Sequence, residues 1–402
     1  MSTRADPWDD TGVPWSRIVP LGIAQIISWG TLYYSFTLFL QPVESELGWT
    51  KTELTAAFSM ALAVAGLASL PYGRWIDLRG GRGLMTAGSV LCAVLLALLS
   101  QVETQVMFFL IWAALGLAMA STFYEPAFTV LLINLKSNSR RAITALTLLG
   151  GFAGAVFVPL SNLLIDTYGW REALLILAAI NLLVCAPINF WSLTGTTGGQ
   201  PVENKPRSWA PFYRALRLPV FWMLMVAFIA HAAAFSSLPI HFIPMLGAKD
   251  VSKDLAVGIF ALIGPSQVAG RLLMAGAERW LTPRATGLAS FAILVGSFVI
   301  LAAADGAFLG FAAFGIAYGL ANGMITIVRA TALADMIGVE GIGSIQGGMA
   351  FVVIWVLAAA PFTIALVEQM MGGYEIVIQI WLVLSAVGLV AFAAALKLAP
   401  RS

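Results

Sequence analysis

Apolar residues run along this chain in long stretches, each ended by a short cluster of Gly, Pro or charged residues. Twelve such stretches stand out, at 17–41, 52–74, 83–102, 105–135, 141–166, 171–193, 219–243, 253–278, 284–304, 307–333, 341–367 and 374–397. A helix needs about 20 mostly apolar residues to cross a bilayer core of about 30 Å, so each stretch predicts one membrane-spanning helix. Strands of a membrane barrel would read as segments of about 10 residues with alternating polarity. The pattern therefore predicts an all-α polytopic membrane protein with 12 transmembrane helices. A polar leader, 1–16, precedes the first stretch and holds Asp6, Asp9 and Asp10. It lacks the basic region and small-residue cleavage site of a secretory signal, so the first stretch is expected to be retained.

Composition agrees: 60% of the 402 residues are hydrophobic and 10% are charged, against about 25% charged in soluble domains. The 22 Lys and Arg nearly cancel the 20 Asp and Glu, which argues against a nucleic-acid partner. Cys92 and Cys185 both lie in apolar runs, excluding a disulfide framework and a Cys-based zinc site, and two histidines leave little for a metal centre. No cofactor is expected. With the N-terminus in the cytoplasm, sixteen of the 22 basic residues fall on cytoplasmic segments and only Lys51, Arg171, Lys249 and Lys253 on the other side. That bias places both termini in the cytoplasm.

The longest polar stretch, 194–218, straddles the midpoint of the chain and reads as a cytoplasmic linker. It separates an N-terminal six-helix bundle, 17–193, from a C-terminal one, 219–398, with 399–402 as a cytoplasmic tail. The halves match weakly. Residues 113–118 (Ala-Ala-Leu-Gly-Leu-Ala) fall on 312–317 (Ala-Ala-Phe-Gly-Ile-Ala), and Gly169-Trp170 meets Gly373-Tyr374. Parallel six-helix repeats are a secondary-transporter plan, with the substrate site near the bilayer midplane.

The loop after the second stretch reads Gly73-Arg74-Trp75-Ile76-Asp77-Leu78-Arg79-Gly80-Gly81-Arg82. It resembles the signature loop of the major facilitator superfamily, Gly-x-x-x-Asp-Arg-x-Gly-Arg, keeping Gly73, Asp77, Arg79 and Arg82 with the first Arg shifted by one residue. The resemblance implies a conformational-switch loop. A helix C-terminus disfavours Asp77 unless cations hold it, and the loop arginines are expected to do so. The competing reading is an ordinary basic cytoplasmic loop.

Ser28 to Ser35 (Ser-Trp-Gly-Thr-Leu-Tyr-Tyr-Ser), Leu47-Gly48-Trp49, Arg140-Arg141-Ala142, Gly150-Gly151 and Tyr168-Gly169-Trp170-Arg171 resemble bacterial monocarboxylate-transporter-type members, a group related to oxalate/formate exchangers. That resemblance implies transport of small carboxylates, usually with a proton. It also implies a central cavity lined by helices 1, 4, 7 and 10, with parts of 2, 5, 8 and 11.

Three charged residues lie clearly inside the apolar runs, away from their ends: Glu125, Arg271 and Arg329. Each costs about 2.5–3.5 kcal/mol at a helix centre on the insertion scale, and such residues are functional candidates by default. Snorkelling to the headgroups is the alternative. It is weakest for Arg271, about 12 Å along its helix from Arg279, and stronger for Arg329, nearer Asp335 and the helix end. In the repeat Arg271 aligns with Leu70, Glu125 with Met324 and Arg329 with Val130, so the shared scaffold does not require these charges.

Arg271 offers a planar fork that matches a carboxylate and is the expected substrate contact. The carboxylate transporters carry an Arg on helix 8 in a context that Gly270-Arg271 resembles. Several carry an Asp one turn earlier, where this chain has Gln267. Glu125 is the expected proton carrier. Pro126 beside it marks a kink or break, and a Glu125–Arg329 pair is expected to gate or couple protons, a constitutive ion pair being the alternative. Trp29 and Tyr33 (with Gln25), Tyr124, Tyr318 with Asn322, and His231 are the further candidate substrate contacts; packing glue is the competing reading for each. Gly150-x-x-x-Gly154 and Gly343-x-x-x-Gly347 are expected to allow close backbone approach.

These readings converge on a non-enzymatic secondary transporter of a small monocarboxylate or related organic anion, proton-coupled, working by alternating access as a monomer in the cell inner membrane. A drug/proton antiporter or an anion exchanger stays open on the same scaffold, and a non-transporting receptor more remotely. The expected partners are the anion, protons and the lipid bilayer.

Overall fold

A computed structural model describes residues 8, 12–135, 138–198, 209–277, 280, 282–304 and 308–399. Parts of the leader, linker and tail, and basic residues such as Lys136, Lys205 and Arg279, lie outside the described residues. Among the described residues, twelve helices are long and apolar enough to cross a membrane. They are α1 Trp15–Leu47, α2 Lys51–Arg79, α3 Arg82–Leu99, α4 Gln105–Leu135, α5 Ser139–Tyr168, α6 Trp170–Ser192, α7 Pro219–Gly247, α8 Leu255–Ala277, α9 Pro283–Ala303, α10 Phe308–Ile337, α11 Ile342–Met371 and α12 Tyr374–Leu398. No strand occurs among the described residues. A short helix, Ala210–Leu216, forms within the stretch expected as linker.

Local chemistry sets the helix ends. Thr50 and Glu53 form a reciprocal capping box at the start of α2, satisfying two otherwise orphaned N–H groups. Thr104 and Thr282 cap α4 and α9 through their hydroxyls. α1 runs past its expected end at 41, through Glu44 and Glu46, and stops where Gly48 turns left-handed at φ 72°. Glu46 is held there by Trp170 Nε1 and by Arg171 Nε at 2.9 Å, while Arg171 Nη2 donates to the Val102 carbonyl at 3.0 Å. Two helices carry a π-turn, Gly30–Tyr34 in α1 and Asn181–Cys185 in α6. The two turns meet, Asn181 Nδ2 donating to Thr31 Oγ1 at 3.1 Å.

By packing, the chain forms two compact units, Met1–Trp209 with Val339–Phe351, and Ala210–Gly338 with Val352–Ser402. Within the first, α2 packs on α4, α3 on α4 and α6, and α1 on α5. Within the second, α8 packs on α10, α9 on α10 and α12, and α7 on α12. The repeat read at 113–118 and 312–317 has a structural counterpart. A Cβ on Gly116 would lie 2.2 Å from the Ala61 carbonyl of α2, and one on Gly315 3.2 Å from the Ile259 carbonyl before α8's midpoint. In each unit the fourth helix uses a glycine to approach the backbone of the second.

Candidate functional site

The first unit brings three of the expected substrate contacts together at a broken helix. Pro126 has no N–H and its ring crowds the carbonyl four residues back. α4 opens there: Phe123 is extended (φ −73°, ψ −166°) between Gln105–Thr122 and Tyr124–Leu135. The freed Thr122 carbonyl accepts a hydrogen bond from Gln25 Nε2 at 2.8 Å, fully buried. One turn beyond Gln25, Trp29 stacks on Phe123 with centroids 4.1 Å apart and 12° between planes. Trp29 also meets Tyr124 at 5.1 Å and Tyr33 at 5.4 Å. Tyr124 stacks in turn on Phe128. Glu125 is half-buried in the first turn of Tyr124–Leu135, where the helix dipole favours a carboxylate. Thr122 and Phe123 are site residues missing from the expected contacts; the available signal was Pro126, which frees the Thr122 carbonyl.

Gly150 and Gly154 do not bring backbones together as expected. A Cβ on Gly150 would lie 2.2 Å from the Tyr124 hydroxyl, and one on Gly154 3.2 Å from the Tyr34 ring, so both glycines make room for aromatic side chains. The Gly343 pair does what was expected: a Cβ on Gly343 would sit 2.3 Å from the Gly73 carbonyl, and one on Gly347 2.3 Å from the Ser69 carbonyl.

That close crossing delivers Asp77 to the start of α11. Its carboxylate accepts from Gly343 N at 2.8 Å, Ser344 N at 2.7 Å and Ser344 Oγ at 2.6 Å, all buried. The first N–H groups of a helix have no intrahelical partners, and the helix dipole favours an anion there. The expectation that loop arginines hold Asp77 is thus corrected for Arg79 and Arg82, the direct hold being the N-terminus of α11. Arg79 stacks over Trp75 at 4.5 Å, and Arg82 donates to the Phe190 carbonyl at 3.0 Å while covering the Phe190 ring. Of the loop arginines, Arg74 is the one that acts on Asp77 electrostatically.

In the second unit α8 and α10 cross with their backbones in contact. A Cβ on Gly323 would fall 2.0 Å from the Gln267 carbonyl, and one on Gly270 2.3 Å from the Leu320 carbonyl. Arg271, one turn past Gln267, is 7% exposed. Across α7 and α10, His231 Nε2 lies 2.8 Å from Asn322 Oδ1, and Asn322 Nδ2 donates to the Tyr318 carbonyl at 2.7 Å. Tyr318 is buried against Phe298 and Phe314. Arg329 is half-buried two turns beyond Asn322 on α10. Glu125 and Arg329 belong to different units. An apolar crevice in the first unit, lined by Phe36, Leu54, Phe108, Trp112 and Trp170 among others, has no charged lining residue.

Twelve membrane-length helices, a broken α4, buried cationic and amide groups on α8 and α10, and a carboxylate capping α11 define a multi-pass membrane transporter. The chain belongs to the Major Facilitator Superfamily, whose family model matches residues 21–361. It is similar to monocarboxylate transporter 13 of Rattus norvegicus, 25% identical over 79% of this chain and 73% of that protein. To monocarboxylate transporter 4 of Mus musculus it is 28% identical, over 58% of this chain and 51% of that protein. Among solved structures, the E. coli fucose:proton symporter FucP has the same fold, with a TM-score of 0.73 at 11% identity over 97% of this chain and 99% of FucP. The human organic anion transporter MFSD10 matches with a TM-score of 0.64 at 16% identity over 95% of this chain and 99% of its own.

Proposed function

We propose that this transporter moves a small monocarboxylate or related organic anion together with a proton, by alternating access, across the cell inner membrane. The moving bodies are the bundles 17–193 and 219–398, joined by 194–218, and the basic-residue bias puts both termini in the cytoplasm. The observation that carries the proposal is Arg271, a guanidinium buried in a membrane-spanning helix where the repeat has Leu70. Two monocarboxylate transporters among the relatives support the same substrate class. Gln267, His231, Tyr318 and Asn322 form the rest of the proposed contact set in the second unit, and Trp29, Tyr33 and Tyr124 that in the first. Glu125 and Arg329 are proposed as the proton-coupling or gating pair. The loop Gly73, Asp77, Arg79 and Arg82 acts as the conformational switch, with the Asp77 cap on α11 made in one state and released in another. One chain is the functional unit.

The test is counterflow in liposomes with a panel of carboxylates, comparing the parent with Arg271→Lys and Arg271→Ala. Lys keeps the charge and loses the bidentate fork. Transport of a carboxylate that falls at least tenfold in both variants supports the reading; unimpaired transport in both overturns it. A cationic drug exchanging for protons, with no carboxylate moved, would make this an antiporter.

A further inference from the structure

We infer that His231 is a proton-binding site of the second unit, that it titrates through Nδ1, and that its proton and the transported anion bind cooperatively; the anion half rests on the proposed substrate class. The geometry settles the tautomer. Asn322 Nδ2 donates to the Tyr318 carbonyl at 2.7 Å, which fixes the amide orientation and leaves Oδ1 facing His231 Nε2 at 2.8 Å. A carbonyl oxygen only accepts, so Nε2 carries the hydrogen and neutral His231 has its open lone pair on Nδ1. An added proton therefore goes to Nδ1 without disturbing the Asn322 bond. Asn322 is a positioning residue, itself fixed by the turn of α10 that it caps internally. The ring sits near the middle of α7, half-buried and stacked at 5.8 Å and 21° on Phe235.

The charges around it explain the cooperativity. Arg329 of α10, on the same face as Asn322, acts electrostatically on the ring; Tyr318 is the other titratable group on that face. α12, packed on α7, carries Tyr374, Glu375 and Lys397 only at its ends, and the helix Lys253–Ala261 has its charged positions in its first turn. Tyr213 and Arg214 lie on Ala210–Leu216, before α7 begins, and His241 is ten residues further along α7. A protonated imidazole thus adds a second positive charge beside Arg329, with Arg271 in the same unit. A carboxylate bound there offsets the repulsion, and by linkage the proton then strengthens anion binding by the same factor.

Two histidines in the whole chain make the experiment direct. Uniformly ¹⁵N-histidine-labelled full-length protein in lipid nanodiscs gives two imidazole signatures, assigned with His231→Gln. His241, whose Nε2 lies 3.1 Å from the Pro361 carbonyl, serves as the internal control. The expected result is an Nε2–H pattern for neutral His231. Its titration midpoint should rise by about one pH unit, a tenfold gain in proton affinity, when acetate, lactate or oxalate replaces chloride. Asn322→Asp should raise the midpoint without any anion. An Nδ1–H pattern, a ring that does not titrate, or a midpoint unmoved by all three anions overturns the inference. A counterflow panel in which no carboxylate moves removes the anion reading, while the tautomer and titration of His231 still stand or fall on the spectrum.

Discussion

Replacing Asp77 with Asn tests the cap on α11 at the atomic level. The carboxylate receives three hydrogen bonds, from Gly343 N, Ser344 N and Ser344 Oγ, at 2.6–2.8 Å. A hydrogen bond to a charged group contributes about 1.5–3 kcal/mol. Asn keeps one acceptor oxygen and turns the other into an NH₂ that cannot accept, so at least one backbone donor loses its partner and the charge facing the helix N-terminus is gone. The loss is about 2–3 kcal/mol, or about 30- to 150-fold in the equilibrium for local opening. Hydrogen exchange read by mass spectrometry on peptides covering 339–351 measures it, because local opening exposes those amides. Asp77→Asn should speed their exchange by that factor. Ser344→Ala removes only the hydroxyl donor and should speed it about tenfold or less. Arg82→Gln, which disturbs the contact to Phe190, should leave these peptides unchanged. Unchanged exchange in Asp77→Asn, or equal acceleration in Arg82→Gln, refutes the reasoning.

Other perturbations follow from the same geometry. Pro126→Ala restores an N–H four residues after the Thr122 carbonyl and should close the break in α4, raising the melting temperature while slowing counterflow; a variant with both unchanged would mean that Pro126 does not hold the break open. Gly343→Ala would place a Cβ 2.3 Å from the Gly73 carbonyl and 2.8 Å from Asp77 Oδ1, costing about 1–3 kcal/mol of overpacking. Gly83→Ala, with nothing within 4 Å, is its neutral control in the same thermal denaturation. If the two melt alike, the close crossing of α2 and α11 is wrong.

What could be read from the chain alone follows from what the solvent imposes. A bilayer demands a run of apolar residues of fixed length, so all twelve helices announce themselves. Their ends do not: α1 continues through Glu44 and Glu46 because Trp170 and Arg171, far along the chain, receive Glu46. The π-turn at Gly30–Tyr34 is closed locally by Ser35, whose N and Oγ donate to the Gly30 carbonyl at 3.0 and 2.7 Å, but its contact with Asn181 of α6 through Thr31 leaves no mark in the local sequence. Pro126 is legible as a breaker, whereas the Trp29–Phe123 stack it enables is not. Asp77 shows the same limit from the side of charge. Its neighbours in sequence are arginines, but the groups that hold it lie 266 and 267 residues away, and a helix N-terminus has no signature in side-chain charge.

The repeat supplies the comparison a single chain otherwise lacks, and it bears most heavily on Arg271. Both halves use a glycine of the fourth helix for a close crossing with the second. In the first, Gly116 of α4 lies against the Ala61 carbonyl of α2; in the second, the equivalent Gly315 of α10 lies against the Ile259 carbonyl of α8. The second helix makes this crossing with Leu70 in one half and with Arg271 at the aligned position in the other, so the guanidinium is not what the packing needs. Its insertion cost of about 2.5–3.5 kcal/mol is one that the sister helix, with Leu70, does not carry. Arg271→Leu, the residue the sister half carries, is accordingly expected to fold and to melt within about 4 °C of the parent while losing carboxylate counterflow. A variant that fails to fold would make the guanidinium a structural group and remove the reason for placing the anion beside it.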